Sequence, residues 1–150
     1  MTTLERAEVA TAILQRLRRL RPDSQARWGR MNAHQMVCHL SDALQVPLGE
    51  RVASPATGLL QRTLLKWIAL YLPLRWPAGI QTRPEIDQEC GGTRPAEFAR
   101  DVAQLETLLQ AFLTQQTSRT PHPIFGAMSE REWLRWGYLH ADHHLRQFGV

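Results

Sequence analysis

Three histidines lie within five positions near the end of the chain, in the stretch "LHADHHLRQF" (residues 139–148). An α-helix turns ~100° per residue, so His140 and His144 lie one turn apart on the same face, whereas His143 is displaced toward its edge. Two imidazoles at this spacing can converge on one metal ion. The alternative is that each buried ring hydrogen-bonds to a neighbouring carbonyl, carboxylate or water.

The opposite side of this predicted helix is charged, and the sequence predicts that it faces solvent. The residues on it are Arg131, Arg135, Asp142 and Arg146. Two tryptophans nearby, Trp133 and Trp136, are predicted to fill the core rather than to form an aromatic cage.

A third ligand would have to come from another helix, and the stretch "MNAHQMVCHLSDAL" (31–44) offers two histidines. His34 falls on the polar side of the helical wheel and is predicted to be solvated. His39 borders the apolar arc, where its side chain could reach the groove between helices, so it is a candidate third ligand or a boundary histidine. Cys38 is turned ~100° from His39 and is not interpreted as a ligand or nucleophile.

Weaker candidates surround these histidines. Asp42 lies one turn after the candidate third ligand and could accept a proton from its ring, which would fix the tautomer. Gln147 lies three positions after the last histidine and could hydrogen-bond a ligand or substrate. Each could equally be a surface or capping residue. His122, in the loop "PHPIFG", and His143 could line the mouth of a pocket, although a histidine between two prolines is often structural.

Four long helical patterns would position these residues. Asn32 is predicted to be an N-cap, Ser129 and Glu132 form a predicted capping box, and Pro95 is typical of a first helical turn. The predicted helices span about 3–20, 32–46 (with Pro47 just beyond the end), 95–112 and 129–147.

A connection of nearly fifty residues separates the second and third of these helices. It contains a shorter helical segment, about 57–72, and then the proline-rich stretch "PLRWPAGIQTRPEI". No alternating strand pattern appears in the sequence. We therefore predict an all-α fold in one domain over residues 1–150, a four-helix bundle of two helical hairpins joined by a long crossover.

Composition narrows the class of protein. The chain has 18 basic and 14 acidic residues, but the densest arginine cluster (16–21) ends a predicted helix, where cations favour the helix dipole, so nucleic acid is not expected as a partner. Cys38 and Cys90 make no disulfide framework, and no secretory signal is visible, so we expect a cytoplasmic protein. The apolar stretch 64–74 is too short to span a bilayer and is expected to pack in the core or to form a homodimer contact.

Three stretches of the sequence together resemble a known family. The stretch "MNAHQMVCHL", followed far downstream by "HPIFGAMSEREW" and "HADHHLRQF", is similar to the DinB/YfiT-like superfamily of proposed metalloenzymes, in a branch catalogued as a domain of unknown function. The resemblance implies a four-helix bundle in which His39, His140 and His144 bind a divalent metal. Many relatives follow the final histidine with Arg-Gly-Gln; this chain keeps the glutamine, Gln147, but not the glycine.

Three neutral imidazoles would leave a divalent cation, zinc or nickel, with its full charge and an open position. Such an ion lowers the pKa of a coordinated water toward ~7 and ionises a coordinated thiol. Some members of the superfamily use low-molecular-weight thiols, so the resemblance implies a hydrolase or a thiol-dependent transferase acting on a small molecule. The sequence shows no Ser-His-Asp order, no glycine-rich phosphate loop and no paired carboxylates at helical spacing near the histidines. The competing hypothesis is a non-enzymatic bundle that binds a ligand or dimerises and whose histidines are structural.

Overall fold

Helices account for all the regular secondary structure of the described residues. The computed structural model describes residues 1–56, 58–115 and 119–150, and over these ranges it contains no strand. The α-helices are α1 (Ala7–Leu17), α2 (Ala33–Leu48), α3 (Lys66–Tyr71), α4 (Phe98–Thr114) and α5 (Glu130–Gln147). A π-helical segment, Gln61–Leu65, leads into α3, and a 3-10 turn, Pro84–Ile86, lies in the crossover. The all-helical prediction is therefore confirmed for this part of the chain.

The two helices that carry the candidate ligands begin at the predicted caps. The Asn32 side chain accepts a hydrogen bond from the Gln35 amide at 2.8 Å, and the Gln35 side chain accepts one from the Asn32 amide at 2.9 Å. Ser129 and Glu132 make the same reciprocal pair at the start of α5. Each capping box satisfies amide donors that the first helical turn would otherwise leave unpaired.

Several predicted helix boundaries are wrong. Pro47 lies inside the last turn of α2, where its missing N–H costs one hydrogen bond, and the helix ends at Leu48, with Gly49 (φ 79°) as its C-cap. Pro95 precedes α4, since the Glu97 side chain accepts the first free amides and so sets the start. The α1 helix is also shorter than the predicted 3–20 segment. The predicted 57–72 segment begins at a residue outside the described ranges.

The core forms where α2 packs along α4 and α5, with α1 and α3 against α5. This arrangement is compatible with a helical bundle. Its buried apolar residues come from each long helix and include Ile13, Leu17, Met36, Val37, Leu40, Leu105, Leu109, Phe112, Trp133 and Leu145.

Gly137 lets α5 approach this core closely. A Cβ atom there would lie 2.8 Å from the Phe112 ring and 3.0 Å from the Leu4 side chain. Because Phe112 is fully buried, the ring has little room to retreat. A larger residue at position 137 would therefore push α5, which carries two of the candidate ligands, away from the core.

The charged side of α5 is not a simple solvent face, so that prediction is wrong in part. Arg131 is exposed, but Arg135 is buried, and its guanidinium donates to the backbone carbonyls of Leu70 and Thr2. The end of α3 and the segment before α1 thus cover this side. A helical wheel cannot anticipate them, because it shows one helix without its neighbours.

Among the described residues, no helix combines the length and the apolar composition that crossing a bilayer requires.

Candidate metal centre

Three histidine rings from two helices meet between α2 and α5. His39 comes from α2, and His140 and His144 come from α5; one nitrogen of each ring lies within 4.8 Å of the others. The ring centroids are 4.9 to 5.1 Å apart. The structure therefore brings together the three side chains that the sequence proposes as ligands, although 101 positions separate His39 from His140.

A backbone carbonyl fixes the orientation of the His39 ring. Its Nδ1 lies 2.8 Å from the Ile86 carbonyl oxygen. A carbonyl only accepts hydrogen bonds, so Nδ1 carries the proton and Nε2 keeps its lone pair. That lone pair points into the cluster, where the Nε2 of His140 lies 3.2 Å away.

A side-chain amide fixes the His144 ring in the same way. The Nδ1 of His144 lies 2.9 Å from Gln147 Oε1, while Gln147 Nε2 donates to the Trp28 carbonyl at 2.7 Å. The Trp28 carbonyl only accepts hydrogen bonds, so the NH₂ group of Gln147 must face it. The oxygen of Gln147 therefore faces the His144 ring. His144 therefore donates through Nδ1, and its Nε2 is the nitrogen left for a metal ion.

His140 completes the cluster on its more open side. It is only partly buried, and its Nε2 faces the lone pair of His39. Two facing imidazole nitrogens need a positive centre between them, either the proton of one ring or a cation that both rings share. The Trp136 ring lies 4.9 Å from His140 and the Trp76 ring 6.2 Å, so aromatic side chains flank this histidine.

The electrostatics keep the three rings neutral. Burial lowers the pKa of His39, and burial together with the neighbouring histidines holds the pKa of His140 and His144 well below the ordinary value. A neutral imidazole is the form that binds metal ions, because its lone pair is free. The oriented donor set and its protonation state therefore fit a divalent cation.

Asp42 does not have the predicted contact with a ligand ring. The Ile86 carbonyl receives the His39 proton instead, and Asp42 is buried rather than at the surface. Its carboxylate accepts hydrogen bonds from Gln88 and from both the amide and the hydroxyl of Thr93, and it pairs with Arg51 at 2.9 Å. Asp42 thus fastens the crossover next to α2.

His143 lies beside the cluster rather than in it. It is buried, its ring centroid is 5.1 Å from that of His144, and it lies between the rings of Trp28 (5.8 Å) and Trp76 (6.4 Å). No pattern in the sequence indicates that these two tryptophans are neighbours of the site. Both lie in connecting segments, where no periodicity indicates which way a side chain points.

His122 lies outside the cluster and stabilises a turn. Its Nδ1 accepts hydrogen bonds from the Ile124 and Phe125 amides, both at 3.1 Å, and its ring stacks on Phe125 with centroids 4.6 Å apart. Burial lowers its pKa to about 3. These contacts match the structural alternative for this histidine.

His34 and Cys38, which also lie on α2, face α4 rather than the three-histidine cluster. His34 is only partly exposed, and its Nε2 lies 2.7 Å from Asp101 of α4, so the prediction that it is solvated is wrong. Cys38 is buried on the same side of α2. The turn of the helix separates Cys38 from the three-histidine cluster, as the wheel predicted.

A known protein family matches nearly the whole chain. Neither the curated proteins nor the solved structures gave a match. The family model described as "Protein of unknown function (DUF1569)" matches residues 3–149. The chain therefore belongs to this family, whose function is unknown.

Proposed function

We propose that the protein is a metal-dependent enzyme in which His39, His140 and His144 hold one divalent cation, zinc or nickel. It would act on a small molecule, as a hydrolase or as a transferase that uses a low-molecular-weight thiol, and its bundle would be of the DinB/YfiT-like type. The observation that carries the proposal is the convergence of three imidazoles from two helices that lie far apart in the sequence, with Nδ1 engaged by an acceptor in two of the rings.

The number of ligands favours catalysis over a purely structural ion. Structural zinc sites are usually closed by four protein ligands, whereas catalytic sites have three and an open position. When bound, the cation would supply a Lewis-acidic centre that activates a water or a thiol as a nucleophile near neutral pH. The partly buried ring of His140 marks the side from which a small molecule could approach.

The protein's own residues orient the donors and limit the access of water. The Ile86 carbonyl and Gln147 keep the two Nε2 atoms directed inward, while Trp76 and Trp136 flank His140. Orientation of this kind matters because a ligand ring that must rotate before it binds loses affinity. A cavity of about 20 Å³ is lined by His140 and otherwise by apolar residues, and its volume is about that of one water.

The metal content of protein purified without an affinity tag tests the proposal. Elemental analysis should find a divalent metal, and His144→Ala should remove one equivalent of it, since that substitution deletes a donor from the buried cluster. His143→Ala is the matched control, because it removes the adjacent histidine and should keep that equivalent. Equal metal content in wild type and His144→Ala would overturn the proposal, as would a metal-free wild type whose melting temperature ignores added zinc and nickel.

The metal-loaded protein can then separate the two reaction classes. Glutathione, bacillithiol and mycothiol are tested for a rise in melting temperature, because a ligand that binds only the folded state stabilises it. A rise with a thiol, abolished in His144→Ala, supports the transferase. No response to any of the three counts against the transferase and leaves the hydrolase as the proposed activity.

A further inference from the structure

A second group of metal-binding side chains lies on the α4 side of α2. His34 and Cys38 are one helical turn apart on α2, and Asp101 reaches them from the first turns of α4; one donor atom of each lies within 4.8 Å of the others. These residues belong to neither the three-histidine cluster nor its supporting hydrogen bonds.

The distances are close to those of a tetrahedral site. His34 Nε2 lies 2.7 Å from Asp101 Oδ2, and Cys38 Sγ lies 3.9 Å from the same oxygen. With metal–ligand distances of ~2.0–2.3 Å, tetrahedral donors lie about 3.3–3.6 Å apart. Shifts of about half an ångström would bring these two pairs to that separation, and the third pair, His34 and Cys38, lies within 4.8 Å.

The group is reachable from solvent but anchored in the core. The side chains of His34 and Asp101 are 20% and 17% exposed, whereas Cys38 is buried. The Phe98 ring packs edge-on against His34, with centroids 5.3 Å apart, and restricts its rotation. An ion could enter between His34 and Asp101, and a water could supply the fourth ligand.

A cysteine nucleophile is the alternative chemistry for these three residue types, and the geometry opposes it. In a nucleophile–base pair the histidine nitrogen faces the thiol, but here the Nε2 of His34 is hydrogen-bonded to Asp101, and the sulfur of Cys38 has the carboxylate of Asp101 as its hydrogen-bond partner. A thiolate at Cys38 would lie beside the negative carboxylate of Asp101, so it would need a positive charge that these residues do not supply.

We propose that His34, Cys38 and Asp101 form a second divalent metal site, selective for zinc, that bridges α2 and α4. The donors are the Nε2 lone pair of His34, the thiolate of Cys38 and one carboxylate oxygen of Asp101, a nitrogen, sulfur and oxygen set that suits zinc. On binding, the thiol proton leaves to solvent, and the proton that His34 Nε2 donates to Asp101 is exchanged through solvent to Nδ1, so that metal–ligand bonds replace this hydrogen bond. Because Cys38 and His39 are consecutive, the same turn of α2 would carry ligands of both sites.

Cobalt replaces zinc in such sites and reports on sulfur ligation through a thiolate-to-cobalt charge-transfer band in the near ultraviolet. We expect this band in the wild-type protein loaded with Co²⁺ and its loss in Cys38→Ser. Cys90→Ser is the matched control, since Cys90 is the other cysteine and is exposed. His144→Ala should keep the band, because the three-histidine cluster contains no sulfur, so the outcome is independent of the proposed catalytic site.

Zinc binding gives a second readout that does not depend on absorbance. In the His144→Ala background, zinc should raise the melting temperature by several degrees, and Cys38→Ser or Asp101→Asn should abolish the rise. The proposal is overturned if wild type shows no charge-transfer band, if the band survives Cys38→Ser, or if it disappears in Cys90→Ser or His144→Ala.

Discussion

Gln147 shows how much one side chain contributes to the candidate metal centre. Its oxygen accepts from His144 and its nitrogen donates to the Trp28 carbonyl, so the ring and the loop before α2 are linked through one amide. Gly29 makes this approach feasible, because a Cβ atom there would lie 2.6 Å from Gln147 Nε2 and its φ is 81°. The orientation of a ligand on α5 thus depends on a loop more than a hundred residues away.

Gln147→Leu should weaken metal binding about 10- to 100-fold, because the leucine cannot accept the ring proton of His144. Competition with a chelator measures the affinity. Gln147→Glu keeps an acceptor for the ring and should retain most of the binding. Gln104→Leu makes the same replacement at an exposed position and serves as the control. Unchanged affinity in Gln147→Leu would show that the ring needs no such support.

The spacing of side chains in the sequence predicted the candidate ligands, but not every hydrogen-bond acceptor that orients their rings. His140 and His144 share a face at i, i+4, and Gln147 is within one turn of His144, so a helical wheel places all three. The acceptor for His39 is a backbone carbonyl, that of Ile86, 47 positions away. Every residue has a carbonyl, so the sequence gives no sign of which one faces a ligand.

The crossover between α2 and α4 is the element that supports the site. Asp42 accepts hydrogen bonds from Gln88 and Thr93 and pairs with Arg51, which also donates to the Glu85 carbonyl. These contacts hold the segment that carries the Ile86 carbonyl against His39. A segment without helical or strand periodicity is therefore positioned by one buried carboxylate.

Asp42→Ala should lower the free energy of unfolding by about 1–3 kcal/mol, because it leaves the buried Gln88 amide without its acceptor and removes the partner of the partly buried Arg51 and of Thr93. Urea denaturation measures the loss. Metal affinity should fall as well, since the crossover no longer fixes the Ile86 carbonyl. Asp42→Asn keeps one acceptor oxygen and should lie between wild type and Asp42→Ala. A wild-type midpoint in Asp42→Ala would show that the crossover is held by other contacts.

The long helices could be predicted because periodicity and capping are local. The stripes of α1, α2 and α4 and the capping boxes at Asn32 and Ser129 stand in the sequence itself. The predicted ends of the helices were less accurate, because both Pro95 and Glu97 are plausible starts for α4 and the structure begins the helix after Glu97. The path of the crossover depends on contacts between distant residues and therefore has no local signal.

The whole molecule combines a buried core with an exposed apolar segment. Several large side chains of residues 59–80 are exposed, including Leu59, Leu60, Leu64 and Trp67. An apolar surface of this kind is uncommon on monomers. The homodimer contact expected from the stretch 64–74 stays a prediction.

The stability of the whole molecule should depend on pH through buried histidines such as His122. Its folded pKa of about 3 lies below the ordinary 6.5, so between these values the unfolded chain binds more protons and stability falls as pH falls. One such group contributes a slope of up to about 1.4 kcal/mol per pH unit. His122→Asn keeps an acceptor for the Ile124 and Phe125 amides but does not titrate, so its slope should be shallower.

Urea midpoints of the metal-free protein at pH 7.5, 6 and 5 measure these slopes. Wild type and His122→Asn should diverge from each other as the pH falls below 6.5. Parallel curves for the two proteins would show that protonation of this histidine does not oppose folding.

The tryptophans beside the candidate ligands have an optical consequence. Trp136 lies 4.9 Å from His140 and 5.3 Å from Trp133, and Trp76 also flanks His140. A paramagnetic ion at the three histidines would lie within quenching range of these indoles. The intrinsic fluorescence of the chain would then record occupancy directly, so nickel or cobalt could be titrated to an end point without any attached dye.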